Sequence, residues 1–128
     1  MSKILIVDDN PDILQLMQLL LGSRGFEVAV TLKGEETFEL INTFQPSLIF
    51  LDVHLSGMDG RDISRQLKTT EETKNIPVIL FSANIIKGTT LAESLADDFV
   101  AKPFDIHELM LKVHKFIGVA DDTETMIA

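Results

Sequence analysis

The chain reads as an α/β domain with one doubly wound parallel sheet and helices on both faces, and three observations predict this. Wholly apolar runs at residues 4–7, 48–51 and 78–81 alternate with helix-length amphipathic stretches, the pattern of strands buried on both faces. Two of these runs end in carboxylates, Asp8-Asp9 and Asp52, which mark the rim where a buried strand leaves the core. The chain is 128 residues long, the size of one ordinary domain.

The elements follow in order. After the first strand, Asn10 caps a helix over 11–22 with Pro11 at its first position, a favoured arrangement. Ile13, Leu14, Leu16, Met17, Leu20 and Leu21 form its broad apolar arc, Gln15 and Gln18 lie opposite, and Gly22 and Gly25 mark the stop. Residues 26–30 alternate partially and read as the second strand. A short helix over 34–44 buries Phe38 and Ile41 and closes before Pro46. The third strand, 48–52, carries Asp52, and the stretch Ser56-Gly-Met-Asp-Gly60 is loop chemistry. A helix over 60–71 turns Ile63 and Leu67 inward, and its row Arg61, Arg65, Lys68 reads as a solvated face. Pro77 opens the fourth strand, which ends at Ser82, and a short helix covers about 88–96. A fifth strand over 98–101 leads into Lys102-Pro103. The last helix starts at Asp105, where Asp105 and Glu108 have capping-box spacing. Ile106, Leu109, Met110, Val113, Phe116 and Ile117 form its core stripe, His107 and His114 lie outside it, and Gly118 ends it.

Composition narrows the function. Net charge is −9 with eleven scattered basic residues, which argues against direct nucleic-acid binding. There is no cysteine, so disulfides, thiolate metal sites and cysteine nucleophiles are excluded. No signal peptide or bilayer-spanning run is present, and the cytoplasm is the expected location. Right-handed crossovers in the order 2-1-3-4-5 bring Asp8 and Asp9 beside Asp52. Such a trio repels itself unless protons or a cation intervene, and an all-oxygen set suits Mg²⁺ shared with phosphate.

Five elements, each at a strand's carboxyl end, together resemble the receiver domain of two-component response regulators. They are Asp8-Asp9, Asp52, Met58-Asp-Gly60, Ser82-Ala83, and the run from Asp98-Phe99 to Lys102-Pro103-Phe104. The resemblance covers nearly the whole chain and implies a flavodoxin-like (βα)₅ fold. The order 2-1-3-4-5 is that of a well-known chemotaxis receiver of this family, so it follows from the resemblance as much as from the residues. The boundaries implied are a receiver domain over 1–118 and a disordered acidic tail over 119–128.

The resemblance also implies roles. Asp52 is the phospho-acceptor, Asp9 and Asp52 hold Mg²⁺ (or Mn²⁺) with the backbone carbonyl of His54, and Asp8 acts through a metal-bound water. Lys102 pairs with the incoming phosphoryl oxygens and Ser82 donates to them once they are in place. His54 and Asn84 flank the path of the hydrolytic water, and the Lys102-Pro103 bond is cis. Phe99 reads equally as core packing or as a rotamer switch coupled to Ser82. The implied function is a phosphorylation-controlled interaction module rather than an enzyme on exogenous substrates. Its donor is a histidine kinase or histidine phosphotransfer protein, and its downstream target is unnamed. An aspartyl-phosphate phosphohydrolase of the haloacid dehalogenase type fits less well, because its nucleophile belongs to an Asp-x-Asp motif after the first strand. A flavin carrier needs a hydroxyl- and glycine-rich loop where Asp8-Asp9-Asn10 stands. The chain departs from the family at Ser56, in place of a proline, and at Leu95, in place of a glycine. It is also about two residues short between Ser82 and Lys102, which bears on the output surface around Ile86, Phe104 and Leu111.

Overall fold

The computed structural model describes residues 2–83 and 92–118. Asn84, Ile86, residues 88–91 of the helix expected at 88–96 and the tail 119–128 lie outside the described residues. The element order is β1 (Lys3–Val7), α1 (Pro11–Gly22), β2 (Glu27–Thr31), α2 (Thr37–Phe44), β3 (Leu48–Asp52), α3 (Gly60–Thr69), β4 (Val78–Ser82), β5 (Asp98–Ala101) and α4 (Ile106–Ile117). The five strands form one parallel sheet in the order β2-β1-β3-β4-β5. This is the 2-1-3-4-5 order expected from the sequence.

The apolar runs are central because both their faces are covered. Ile4 to Val7, Leu48 to Leu51 and Val78 to Phe81 are all fully buried, each side chain stabilising the fold by about 1.5–3 kcal/mol relative to exposure. Alternate residues of these strands divide between two cores. One lies beneath α1 and α4, with Leu14, Met17, Leu21, Leu109 and Val113; the other lies beneath α2 and α3, with Ile41, Ile63 and Leu67. The register pairs Val7 with Leu51, so Asp8 and Asp52 leave the sheet side by side.

Local signals start the helices. The Asn10 side chain accepts the Asp12 N–H, Asp59 accepts that of Arg61, and Asp105 accepts that of His107, each satisfying an amide left over at a helix start. The structure shows the Asp105 half of the expected capping box.

Several expectations change. The segment 34–44 begins as a 3₁₀ turn (Gly34–Glu36) before α2. There Gly34 is packed so tightly against Met58, Ile63 and Leu55 that a Cβ would meet them at 3.0–3.1 Å. The apolar arc of α1 is narrower than its composition suggests: Leu16 is exposed and Leu20 is half-buried, because one helix face meets the sheet and the arc exceeds that face. Ile106, expected in the α4 core stripe, is also exposed, at the first turn where the helix leaves the rim. The basic row on α3 is a solvated face only in part. Arg61 pairs with Asp59, Arg65 donates to the Glu93 carbonyl, and Lys68 reaches Asp97 with its side chain 13% exposed. Only Lys68 is drawn largely out of solvent, by the distant Asp97 that helical periodicity does not show, while the Arg61 and Arg65 side chains stay 38% and 49% exposed.

Candidate functional site

The site lies at the carboxyl ends of β1, β3, β4 and β5, the rim where ligands bind in open α/β sheets. Asp8 and Asp52 are buried, at 0% and 4% exposure, while Asp9 faces solvent. One carboxylate oxygen from each of the three lies within 4.8 Å of the other two. The donor set is entirely hard oxygen, which fits Mg²⁺ chemistry.

Lys102, delivered by the turn after β5, reaches the rim beside Asp8 and Asp52. Its Nζ lies 2.6 Å from Asp8 Oδ2 and 3.4 Å from Asp52 Oδ2. The lysine that the resemblance assigns to phosphoryl oxygens therefore rests chiefly on Asp8. The preceding backbone is anchored by the Lys102 N–H donating to the Ser82 carbonyl at 2.8 Å. The Lys102-Pro103 bond is cis, as expected.

Asp8 Oδ1 accepts the Asn10 N–H at 2.9 Å, so it serves the β1–α1 turn as well as the acidic cluster. Asp52 Oδ1 accepts the His54 N–H at 3.4 Å. Burial and the neighbouring Asp8 carboxylate push the Asp52 carboxyl above its ordinary value; Lys102 and the His54 N–H pull the other way without cancelling the rise.

Ser82 ends β4 beside Asp52 and is buried. Phe99 is half-buried, its ring packed on the core beneath α2 and α3. Both readings of Phe99 thus start from a packed ring. His54 begins a two-residue ribbon (His54–Leu55 with Met58–Asp59) and is exposed. His107 and His114 are exposed on α4. Asn84 lies outside the described residues.

Two residues carry more of the site than the sequence suggested. Ser56, noted above only as a departure from the family pattern, places its Oγ 3.5 Å from Asp9 Oδ2. Gly60, read as the end of the loop run and the start of the 60–71 helix, is the first residue of α3 and sits against the backbone of Asp52. A Cβ built there falls far inside van der Waals contact with the Asp52 carbonyl oxygen and 2.9 Å from its carbonyl carbon. The glycine after the capping Asp59 was the available clue, but the sequence does not show which backbone approaches it.

Comparison with known proteins agrees with this geometry. The family model of the response regulator receiver domain matches residues 4–114. The chain is 34% identical over 126 residues to the DNA-binding dual master transcriptional regulator RpaA of Synechocystis, covering 94% of this chain and 51% of that protein. It is 33% identical over 117 residues to the DNA-binding response regulator MtrA of Mycolicibacterium smegmatis, covering 88% and 49% respectively. The chain thus spans about half the length of these curated relatives. Among solved structures, the response regulator TrrA of Thermotoga maritima in complex with Mg(2+)-BeF superposes with a TM-score of 0.82 at 30% identity, covering 91% of this chain and 100% of that one. The chain belongs to the receiver domain family of response regulators, the signalling modules of two-component systems.

Proposed function

We propose that Asp52 takes a phosphoryl group from a phosphohistidine, on a histidine kinase or a histidine phosphotransfer protein, and that the modified chain presents an altered surface. The observation that carries this reading is the setting of Asp52. It is a buried carboxylate with a raised proton affinity, clustered with Asp8 and Asp9 and 3.4 Å from a lysine ammonium. Attack by an Asp52 oxygen forms an O–P bond as the P–N bond of the donor breaks, and the electron pair leaves with the imidazole. Lys102 moves from Asp8 toward the transferred group, and Ser82 donates to it. The chain performs only its own phosphorylation and the later hydrolysis of the acyl phosphate, with His54 beside the path of the attacking water, a role that the family resemblance also gives Asn84.

Asp9, Asp52 and the backbone carbonyl of His54 would hold Mg²⁺, with Mn²⁺ as a substitute and Asp8 reaching it through water. A divalent cation there supplies neutralisation of the charge on the phosphoryl oxygens. The folded receiver spans residues 1–118, and 119–128 form an acidic tail. The curated relatives are named as DNA-binding regulators, and this chain spans about half the length of each. The expectation of no direct nucleic-acid contact therefore applies to the receiver portion alone. Among the described residues no helix is long and apolar enough to cross a membrane.

Incubation with acetyl phosphate and Mg²⁺ followed by intact-mass analysis tests the assignment. The parent gains one phosphoryl group and Asp52→Asn gains none. Full labelling of Asp52→Asn would remove Asp52 from the role.

A further inference from the structure

Among the described residues, β5 is a four-residue edge strand whose ladder runs along β4 alone. Such a strand is weakly held and leaves backbone groups on its open side. In this chain two consecutive aspartates at its start are each gripped by a lysine, from opposite faces of the sheet. On the α3 face, Lys68 Nζ lies 2.9 Å from Asp97 Oδ2 and 3.0 Å from the Ile76 carbonyl. The same Asp97 oxygen accepts the Val78 N–H at 2.8 Å, so this lysine fixes the point where β5 joins β4. On the α4 face, Lys112 Nζ lies 2.9 Å from Asp98 Oδ1 and 2.6 Å from the carbonyl oxygen of Phe99. Lys115 adds a longer contact to Asp98, at 3.4 Å.

These are partly desolvated pairs. The Lys68 and Lys112 side chains are 13% and 22% exposed, and those of Asp97 and Asp98 are 32% and 21%. Phe99 follows directly. Its N–H donates to Asp98 Oδ1 at 2.7 Å and its carbonyl accepts from Lys112, so its backbone is held at both polar groups. Its ring packs on the α3 side, the side of Lys68. A backbone movement accompanying rotation of that ring must stretch these contacts.

We infer that Lys68 and Lys112 form a two-sided clamp that holds the edge strand, and Phe99 with it, in the unmodified arrangement. Loosening either jaw raises the population of the modified-like arrangement in the absence of phosphoryl transfer. The inference rests on the reading that Asp52 accepts a phosphoryl group to which Phe99 responds. An interaction made in one of two states biases their equilibrium by its full differential strength. Lys68 and Lys112 act here as positioning residues, remote from the reacting atoms.

The test is ¹⁵N NMR on the full chain and on Lys68→Gln, Lys112→Gln and the double variant, with and without beryllofluoride plus Mg²⁺. Glutamine keeps most of the length and removes the charge. In the unmodified single variants, the amide resonances of residues 98–101 should move along the line joining the free and beryllofluoride-bound positions of the parent. The minor-state population should rise about two- to fivefold for each jaw, and further in the double variant. Lys68→Arg, which restores the charge, should return toward the parent. Resonances that stay at parental positions, or leave that line, while the parent still responds to beryllofluoride overturn the clamp and leave the Asp52 reading standing. A lowered melting temperature without collinear displacement also overturns it, since that is the outcome of a purely structural pairing. A parent that does not respond to beryllofluoride overturns the Asp52 reading, and the clamp with it.

Discussion

Substitution of Gly60 by alanine is the sharpest test of how the fold holds the acceptor. The added Cβ would lie 2.9 Å from the carbonyl carbon of Asp52 and 3.1 Å from Val53 Cα. Ordinary carbon contacts sit at about 3.5–4.0 Å, so the two backbones must part by at least roughly 0.6–1.1 Å, and the carbonyl oxygen, which the Cβ meets first, demands more. No flexible side chain is available to yield, since all the contacts are backbone. Gly60 also donates its N–H to the Val53 carbonyl at 2.8 Å, a bond the same displacement strains. Alanine gains up to about 1 kcal/mol of helix propensity, but overpacking costs about 1–3 kcal/mol and belongs here at its upper end. The expected net loss is about 1–2 kcal/mol. A displacement near 1 Å at the nucleophile costs on the order of 100-fold in rate, so phosphorylation from acetyl phosphate should suffer more than stability does. Urea unfolding followed by far-UV circular dichroism suits a chain without Trp or Tyr, and intact mass against time gives the rate. Gly22→Ala, where nothing lies within 4 Å of the new Cβ, is the control and should be neutral or stabilising. A Gly60→Ala protein as stable as the parent and phosphorylated at the same rate would refute the argument.

Two further outcomes follow from the same geometry. Asp52 has a raised carboxyl, so the folded state keeps its proton to higher pH than the unfolded chain. Its contribution to stability is present at low pH and declines as pH rises from the unfolded value of about 3.9 through the raised folded one. Asp52→Asn should therefore be more stable than the parent at pH 7 without divalent cation, with the gap closing toward about pH 4. Asp59, held low by Arg61, behaves oppositely, as does Asp98, where burial is outweighed only by Lys112, the Phe99 N–H and Lys115 together; both losses at acid pH are common to the two proteins and cancel in the difference. A gap independent of pH in urea titrations would contradict this. In calorimetric Mn²⁺ titrations, Asp8→Ala should lose about tenfold in affinity. Asp9→Ala should lose more, because Asp8 is already engaged by Lys102 and the Asn10 N–H while Asp9 faces solvent. Equal affinity of Asp9→Ala and the parent would count against Asp9 as a ligand.

Much of this architecture was legible in the chain itself, for identifiable reasons. The runs at 4–7, 48–51 and 78–81 are too short and too apolar for surface helices, so they declare buried strands, and the carboxylates that end two of them declare the rim. Asn10, Asp59 and Asp105 cap helices within two residues of themselves, which makes helix starts a local property. Contacts between distant segments were decided only by the tertiary structure. Helical spacing shows that Arg65 and Lys68 share a face, but not that Glu93 and Asp97 lie opposite it. Composition widened the arc of α1 to include Leu16, whereas the single sheet face it meets leaves that residue in solvent. That Gly60 touches the acceptor's backbone, and that Lys102 rests on Asp8 more closely than on Asp52, are distances set by strand register and turn geometry. Local chemistry determines which residues begin, end or bury an element. Which of them meet across the rim depends on how five strands and their crossovers close on one another.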